Sequence, residues 1–382
     1  MTKYLFGDLV RNCKEKVDRD NNPYEYFVAG DHMETERPKL TMRGRFDESD
    51  VGPAFIRMFK PGQVLYGSRR TYLKKVSVAD FEGVTSNVTF VLETKDESIL
   101  PQRLLPFLLL SDRFTSYSIG KSKGSTNPYV LFSDLADFEI DLPEPKTVAE
   151  IADIMCAAER LKEGYRSLIA TCDDVVKSQF VEMFGDPIDN TFHKPIASFS
   201  DLGKWQSGGT PARSNTSYFE GGIDWYSAGE LNGFHLRSSI EKITIEALNQ
   251  SAAKLYPAGS LLVGMYDTAA LKMGVLDKAA ASNQACACLI PNDSVLVEWL
   301  YTAISIMKPH LLSQRKGCRQ KNLSLKMIKG FNLPIADKAE QRDFAVFFHS
   351  VDKSKFAVQQ ALDELNATTK KILNQELGLG DV

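Results

Sequence analysis

The sequence is poor in the features of a membrane protein or a disulfide-stabilised secreted domain. Its 382 residues contain no run of about 18 apolar residues. The first ten residues, MTKYLFGDLV, resemble neither a signal peptide nor a membrane anchor. Six cysteines and five histidines are scattered without the spacing of zinc ligands. We therefore expect a reduced, cytoplasmic protein without a metal site and without a membrane contact.

Catalytic signatures are also lacking. The chain contains neither a GxxxxGK[ST] phosphate-binding loop nor a GxSxG nucleophile elbow, and its histidines have no evident acid–base partner. The segments NNPYEY at 21–26 and TNPYVL at 126–131 lack the second proline and the glycine-rich cofactor loop of adenine methyltransferases. We interpret both as turns set by proline. The chain is predicted not to be an enzyme and to bind no cofactor itself.

The composition is that of a globular protein, with 43% hydrophobic and 10% aromatic residues, and the length favours two domains. Six short segments recur in the second half in the same order, at offsets of 191 to 199 residues. The pairs are FGDL at 6 and FSDL at 199, YFVAGD at 26 and WYSAGE at 225, PGQVLYG at 61 and AGSLLVG at 258, Asn87 and Asn283, KGS at 123 and KGC at 316, and LP at 142 and 333. This order predicts a tandem duplication.

Each repeat is predicted to contain a mixed α/β globule followed by a long helix. The globules, at 1–145 and 188–335, are rich in short β-branched and aromatic runs broken by glycine and proline. The helical segments follow at 146–187 and 336–382. The expected fold class is therefore α+β, with an internal pseudo-twofold duplication. Within the second globule, Cys286 and Cys288 are expected on one face of a buried strand.

Both long helices carry apolar periodicity. The first is expected from about Thr147 to Phe184, before a Gly185-Asp186-Pro187 stop. Its apolar positions are Ile151, Met155, Leu161, Tyr165, Leu168, Cys172, Val175 and Gln179. In the second helix the seven-residue series is Phe344, Val351, Val358, Leu365 and Ile372, with Phe348 and Leu362 between its members. Heptads need a partner helix, which favours an antiparallel coiled coil. The alternative is that each helix lies on its own globule.

The net charge of −3 hides an uneven distribution. Residues 51–79 contain six basic residues and no acid, residues 113–133 contain three and no acid, and residues 300–336 contain seven and no acid. Residues 134–174, by contrast, contain eleven acidic residues against four basic ones. Phosphate contacts depend on such a local positive field, which the sum over the whole chain conceals. The globules, and not the first helix, are thus predicted to bind nucleic acid.

Two basic loops fall at equivalent places in the repeat, SIGKSKGSTNPY at 118–129 and LSQRKGCRQKNLS at 312–324. Glycine lets a backbone approach a phosphate closely, and arginine and glutamine can form paired hydrogen bonds with base edges. The alternative for each loop is a solvated basic turn. In RRTYLKK at 69–75, Tyr72 is either a stacking residue or part of the core.

Several segments together resemble one protein family. They are GGTP at 208–211, YFxGGIxW at 218–225, GEL at 229–231, PAGSLLVGMY at 257–266, SNQACACLIP at 282–291, KGCRQKNLSLKMIKGFNLPIADKAEQRDFA at 316–345 and KSQFVEMFGDP at 177–187. In this order they are similar to the specificity subunit of type I restriction-modification enzymes. The first repeat has no GGTP and differs in its basic loop, as expected if the two globules read different sequences.

The resemblance implies that each globule is a target recognition domain reading one half of a split, asymmetric double-stranded DNA sequence. The paired helices would fix the spacing between the halves. Two adenine-N6 methyltransferase subunits using S-adenosylmethionine and a restriction/translocase subunit using ATP and Mg²⁺ would be the partners. Alternatives are a specificity subunit serving a methyltransferase without a nuclease, and a two-module coiled-coil scaffold that does not bind DNA.

The stretch at 208–231 would be a loop and strand of the second recognition domain, with glycines that permit close approach and with Trp225 and Phe219 in the core. The residues expected at the DNA are Arg69, Arg70, Tyr72, Lys74, Lys121, Lys123, Ser125, Thr210, Arg213, Arg315, Lys316, Arg319, Gln320 and Lys321. Of these, Arg69, Arg70, Lys121 and Lys123 are assigned to the first half-site and Arg315, Lys316, Arg319 and Gln320 to the second.

Overall fold

A computed structural model describes residues 1–314 and 322–379 of the chain. These residues form two compact units. Unit 1 comprises Met1–Ser167 and Gln359–Val382, and unit 2 comprises Leu168–Val358.

Unit 1 is built from short strands and helices and from parts of two long helices. Its strands are β1 (Thr2–Leu5), β2 (Val10–Cys13), β3 (Tyr26–Val28), β4 (Gly44–Arg45), β5 (Phe55–Phe59), β6 (Val64–Gly67), β7 (Val76–Val78), β8 (Gly83–Ser86), β9 (Thr89–Thr94) and β10 (Glu139–Leu142). Its helices are α1 (Phe6–Leu9), α2 (Leu105–Leu110), α3 (Asp112–Gly120), α4 (Phe132–Ala136) and the first part of α5 (Pro145–Phe184). Valine, threonine and aromatic residues dominate the strands, because their side chains pack well on a pleated surface.

The sheets of unit 1 pack against its short helices. One sheet has the order β2-β9-β6-β7, a second has the order β4-β3-β8-β5, and β1 pairs with β10. Val64 and Leu92 of the first sheet are fully buried in one core with Leu105 and Phe114 from α2 and α3. The Ser111 side chain accepts a hydrogen bond from the Phe114 amide and so caps α3.

Unit 2 has the same kinds of element. Its strands are β11 (Ile196–Ser198), β12 (Gly203–Ser207), β13 (Ile223–Tyr226), β14 (Asn232–Leu236), β15 (Glu241–Ile243), β16 (Leu261–Gly264), β17 (Met273–Leu276), β18 (Ala281–Ser282), β19 (Cys286–Pro291) and β20 (Asn332–Pro334). Besides the second part of α5, its helices are α6 (Ile245–Asn249), α7 (Val297–Ser313), α8 (Leu325–Lys329) and the first part of α9 (Lys338–Leu377).

The strand orders of unit 2 follow those of unit 1. Its larger sheet has the order β12-β19-β16-β17-β14, the second has the order β15-β13-β18, and β11 pairs with β20. The run β12-β19-β16-β17 thus matches β2-β9-β6-β7, and β15-β13-β18 matches β4-β3-β8. In the second sheets, β3 is parallel to β8 and β13 is parallel to β18.

Backbone conformations recur between the two units as well. Gly62 and Gly259, Arg70 and Asp267, and Lys74 and Leu271 all have positive φ angles. The members of each pair are 197 residues apart in the sequence. Positive φ is uncommon for residues other than glycine, so this repetition is a sensitive marker of equivalent turns.

Predictions for the core of unit 2 are confirmed. Cys286 and Cys288 are both fully buried on one face of β19, whereas Ala287 belongs to a different core cluster on the other face. Trp225 is 2% exposed, and the partly buried Phe219 packs against it with ring centroids 5.8 Å apart.

In unit 2, the parts of α5 and α9 contact each other and run in opposite directions. Lys355 forms an ion pair with Asp173 (2.5 Å), and Phe344, which precedes Lys355, packs against Phe180, which follows Asp173 (5.5 Å between ring centroids). Phe344 and Phe348 are buried, as the heptad pattern predicts. The first long helix ends at Phe184, and Gly185 takes the positive φ of a helix C-cap, as expected.

In unit 1, the Lys162 amino group of α5 donates a hydrogen bond to the Thr369 hydroxyl of α9 (2.8 Å). The predicted apolar face of α5 is partly wrong. Leu161, Leu168 and Val175 are 47%, 51% and 43% exposed, and Lys162, the neighbour of Leu161, is buried instead. Periodicity alone did not identify which positions of α5 meet α9.

Candidate nucleic-acid interface

In unit 1, two loops distant in sequence form one surface. Loop A (residues 68–74) lies between β6 and β7, and loop B (residues 121–130) lies between α3 and α4. Backbone bridges join Tyr129 to both Arg69 and Lys123. The Arg70 amide donates to the Pro128 carbonyl oxygen (2.7 Å). The structure thus brings together residues from the two basic regions of the first globule.

The cations on this surface are available to a ligand. Arg69, Arg70 and Lys121 are exposed, and in the described part of the chain none of them forms an ion pair. Arg70 has a left-handed backbone conformation (φ 50°, ψ 55°). Such conformations in residues other than glycine cluster at functional sites, where surrounding contacts hold them. Here the contact between Arg70 and Pro128 holds loop A.

Two tyrosines lie beside these cations. Tyr72 is 52% exposed and Tyr129 is 42% exposed. Tyr72 is therefore a surface residue and not part of the core. Sequence reasoning missed Tyr129, because its Asn-Pro-Tyr segment was interpreted only as a turn. An exposed ring beside arginine can pack on a sugar or a base.

Two other predicted lysines are paired with carboxylates. Lys74 is 17% exposed and contacts Glu36 (2.7 Å) and Asp112 (3.0 Å). Burial lowers the pKa of Lys74, but the hydrogen bonds to both carboxylates outweigh it and leave the pKa raised. The Lys74 amino group thus has two carboxylate partners in unit 1, and its assignment to the DNA stays a prediction. Lys123 remains half-exposed beside Asp134 (2.8 Å), and Ser125 is exposed in loop B.

Unit 2 has a loop A of its own at residues 265–271, between β16 and β17. The Leu323 amide donates to the Met265 carbonyl oxygen (2.8 Å), as the Val130 amide does to Ser68 in unit 1 (2.9 Å). The side-chain oxygen of Asn322 accepts a hydrogen bond from the Asp267 amide (3.0 Å). Predicted sites that lie outside the described residues are Arg315, Lys316, Arg319, Gln320 and Lys321.

Thr210 and Arg213 are engaged within unit 2. Thr210 forms a hydrogen bond with Gln284. Arg213 forms an ion pair with Glu241, with one nitrogen–oxygen distance of 2.8 Å, and its guanidinium lies 4.3 Å from the centre of the Phe219 ring. The hydrogen bond that Arg213 donates to the Glu241 carboxylate raises the pKa of Arg213. Both side chains thus have partners within unit 2, and their assignment to the DNA stays a prediction.

The glycines of the 208–231 stretch approach the protein's own backbone. A Cβ atom on Gly208 would lie 2.2 Å from the Asn283 carbonyl oxygen, and one on Gly209 would lie 2.2 Å from the Ala252 carbonyl carbon. The Trp225 indole N–H donates to the Gly209 carbonyl oxygen (3.0 Å). The close approach predicted for these glycines is therefore an internal packing requirement.

Residues 1–314 and 322–379 contain neither a metal-binding cluster nor a membrane-spanning helix. Within them, no group of three or more histidine, cysteine, aspartate or glutamate side chains is arranged to hold a metal ion. No helix in these ranges has the length and apolar character needed to cross a membrane.

Comparison with known proteins finds one family that is similar to the second half of the chain. Residues 196–367 match the family model of the type I restriction modification DNA specificity domain. The match covers most of unit 2 and α9 as far as residue 367.

Individual relatives extend the likeness beyond this domain. The chain is 25% identical over 177 residues to the EcoR124I/EcoR124II specificity subunit from Escherichia coli, an alignment that spans 43% of this chain and 42% of that protein. It is 20% identical over 391 residues to the HindI specificity subunit from Haemophilus influenzae, across 82% of this chain and 84% of the relative. The resemblance to type I specificity subunits is confirmed, and the chain resembles the subunits that carry specificity, not those that carry catalysis.

A solved structure shares the fold. The crystal structure of a type I restriction-modification system S subunit from M. genitalium has a TM-score of 0.52, with 15% sequence identity over 100% of this chain and 96% of that one. At this identity the likeness concerns the fold alone.

Proposed function

We propose that this chain is the sequence-reading subunit of a type I restriction-modification complex and that each globule reads one half of a split DNA target. The observation that carries the proposal is the surface of loops A and B in unit 1, where Arg69, Arg70 and Lys121 are exposed and unpaired among the described residues. The family match over residues 196–367 supports the same role for unit 2.

The chemistry of this surface suits duplex DNA. Lysine contacts with phosphates supply affinity that does not depend on sequence, whereas arginine reads guanine through paired hydrogen bonds in the major groove. Lys121 is accordingly assigned to a phosphate and Arg69 and Arg70 to base edges. Tyr72 and Tyr129 provide flat apolar surface beside them. Lys74, Thr210 and Arg213 are left out of this set, because their polar groups are bound within their own units.

The proposal includes an internal duplication and a coiled-coil spacer. The matched strand orders and the recurring positive φ angles support duplication. Contacts between α5 and α9 within each unit support antiparallel pairing of the two helices. A helix of 40 residues is about 60 Å long at 1.5 Å per residue, so the pair can hold two reading surfaces at a fixed separation along DNA.

Chemistry is assigned to partner subunits. Two adenine-N6 methyltransferase subunits would use S-adenosylmethionine, and a restriction subunit would use ATP and Mg²⁺. The role of this chain is to select the DNA and to recruit these partners. A methyltransferase complex without a nuclease remains the nearest alternative, because the two assemblies would place the same demands on this chain.

The proposal is tested by sequencing methylated adenine in the host genome with and without this gene. The expected result is a two-part methylated motif that disappears on deletion. Loss of restriction of unmethylated incoming DNA in the same strain would distinguish a full restriction system from a methyltransferase alone.

Purified complex provides the second test. Its affinity for duplex DNA should fall steeply with salt despite the pI near 6.0 of this chain. Unchanged methylation together with salt-independent, weak DNA binding would contradict the proposal and favour the non-DNA scaffold.

A further inference from the structure

We infer that Asp267 in loop A of unit 2 reads a base edge that presents an amino group, and that this base is cytosine. The inference rests on the proposed function, because it assumes that loop A of each unit faces DNA. It goes further by assigning one residue to one class of base. It also predicts that the equivalent residues Arg70 and Asp267 recognise different bases, Arg70 by donating hydrogen bonds and Asp267 by accepting one.

The equivalence of Arg70 and Asp267 is structural. Each has a positive φ angle, 50° and 47°, and each stands where a turn of 3₁₀ helix begins after β6 or β16. Four residues later, Lys74 and Leu271 again have positive φ angles. The backbone therefore presents two side chains of opposite charge from the same point of the same turn.

In each unit, a backbone hydrogen bond from a residue distant in sequence anchors loop A. The amides of Val130 and Leu323 donate to the carbonyl oxygens of Ser68 and Met265, respectively. In unit 2 the amide of Asp267 is also fixed by Asn322. The main chain of loop A is thus held at both residues that flank Tyr266, and the direction of its side chains is set by the fold.

The Asp267 carboxylate is free to meet a ligand. Asp267 is exposed, as are its neighbours Tyr266 and Thr268. Over residues 1–314 and 322–379, no hydrogen bond or ion pair engages the Asp267 side chain. The described hydrogen bonds of Asp267 involve its backbone: its amide donates to Asn322, and its carbonyl oxygen accepts from the Ala270 amide (3.1 Å). The carboxylate therefore does not stabilise the loop.

A carboxylate on a DNA-reading loop is selective by its chemistry. It is repelled by phosphates and by the acceptor atoms of guanine, so only a base-edge donor compensates for its charge. Aspartate accepts from the cytosine N4 amino group in the major groove, whereas arginine at the same place donates to guanine O6 and N7. Arg70 and Asp267 would therefore give the two half-sites different bases at corresponding positions.

The test uses the whole complex of this chain with its methyltransferase partner and a library of split DNA targets. D267N is the main variant, because asparagine tolerates positive φ and its amide pairs with adenine N6 and N7. One position of the second half-site should change from cytosine to adenine, with discrimination against the old base of about 5- to 150-fold. The first half-site should not change.

R70N is the matched control, placed at the equivalent turn of unit 1. It should alter one position of the first half-site and leave the second half-site intact. A D267N complex that binds all sequences more tightly by one common factor would overturn the inference, because Asp267 would then merely repel phosphate. An unchanged motif would overturn it as well.

The behaviour of the wild-type complex shows whether a negative result rejects only the role of Asp267 or the proposed function as well. A wild-type complex that selects a split motif, with D267N leaving that motif intact, rejects the role of Asp267 and retains the proposed function. A wild-type complex that selects no sequence rejects both.

Discussion

In unit 2, His235 Nε2 lies 2.9 Å from a carboxylate oxygen of Asp352, which joins β14 of the sheet to α9. The other ring nitrogen, Nδ1, lies 2.7 Å from Asp277. Next to it, Phe234 packs on Phe348 with ring centroids 4.6 Å apart. A histidine whose two nitrogens both face carboxylates is best satisfied as a charged imidazolium, because only that form donates from both nitrogens.

This contact predicts a pH-dependent stability of unit 2. Burial lowers the pKa of His235, but the hydrogen bonds to Asp277 and Asp352 outweigh burial and leave the pKa raised. A raised folded-state pKa means that the stabilisation is fully present below the ordinary histidine pKa of about 6.5 and is lost as pH rises through the folded pKa. The H235Q variant should therefore be less stable than wild type by about 1–3 kcal/mol near pH 6.

The measurement is urea unfolding of both proteins from about pH 6 to about pH 9. The difference between them should shrink as pH rises. H310Q, at an exposed position of α7, serves as the control. In unit 1, Arg37 of the globule forms an ion pair with Glu163 of α5 (2.7 Å). Because a guanidinium keeps its charge from about pH 6 to about pH 9, this ion pair should not add to the pH dependence. A difference between wild type and H235Q that does not vary with pH would contradict the prediction.

Two adjacent glycines give a matched pair of substitutions. A Cβ on Gly221 would lie 2.0 Å from the Ile243 carbonyl oxygen, whereas a Cβ on Gly222 would meet nothing within 4 Å. G221A should lower the free energy of unfolding by about 1–3 kcal/mol or more, because the backbone next to β15 must move. G222A should have little effect. The measurement is thermal unfolding of the two variants. Equal effects would show that the close contact at Gly221 does not determine the stability loss.

The buried contact between Lys162 and Thr369 predicts that replacing Thr369 destabilises the protein more than replacing Lys162 does. Burial penalises the charged form of Lys162 and so lowers its pKa. T369V should destabilise the protein by about 1–3 kcal/mol, because it removes the hydrogen-bond acceptor of a buried amino group whose carboxylate partner, Glu159, is 3.9 Å away. K162M should be neutral or stabilising, because a hydrophobic side chain of similar size removes the buried charge.

The double variant K162M/T369V completes this cycle. It should recover most of the stability lost in T369V, since no unpaired amino group remains. Additive losses in the two single variants and the double variant, measured by urea unfolding, would contradict a direct energetic coupling between Lys162 and Thr369.

Substitution of Lys121 should affect DNA affinity, whereas substitution of Lys74 should affect stability. K121A should weaken binding to all DNA sequences alike and reduce the slope of log affinity against log salt by about 1. K74A should lower the unfolding stability, because Glu36 and Asp112 both lose an ion pair, although Asp112 keeps the one with Lys370. It should leave the salt slope unchanged. Salt titrations of DNA binding and unfolding curves for both variants are the measurements. A reduced slope in K74A would return Lys74 to the DNA surface.

Much of the architecture follows from local signals in the sequence. The helix stop at Gly185 and the burial of Phe344 and Phe348 could be predicted, because helix caps and heptads depend on residues close in the chain. Burial of Cys286 and Cys288 on one face followed from the two-residue period of a strand. The basic surface of loop A was also readable, since Arg69 and Arg70 lie in a long segment without acids.

The tertiary structure decided which of several similar residues take each role. Lys74 and Arg70 belong to the same acid-free basic segment, yet the fold places Glu36 and Asp112 beside Lys74. Leu161 and Lys162 are neighbours, and only the position of α9 determines which one is buried. Tyr129 joins the surface because loop B folds onto loop A. Sequence specifies propensity and period, whereas the partner of a charge and the covered face of a helix depend on segments that are distant in the chain and meet only in the fold.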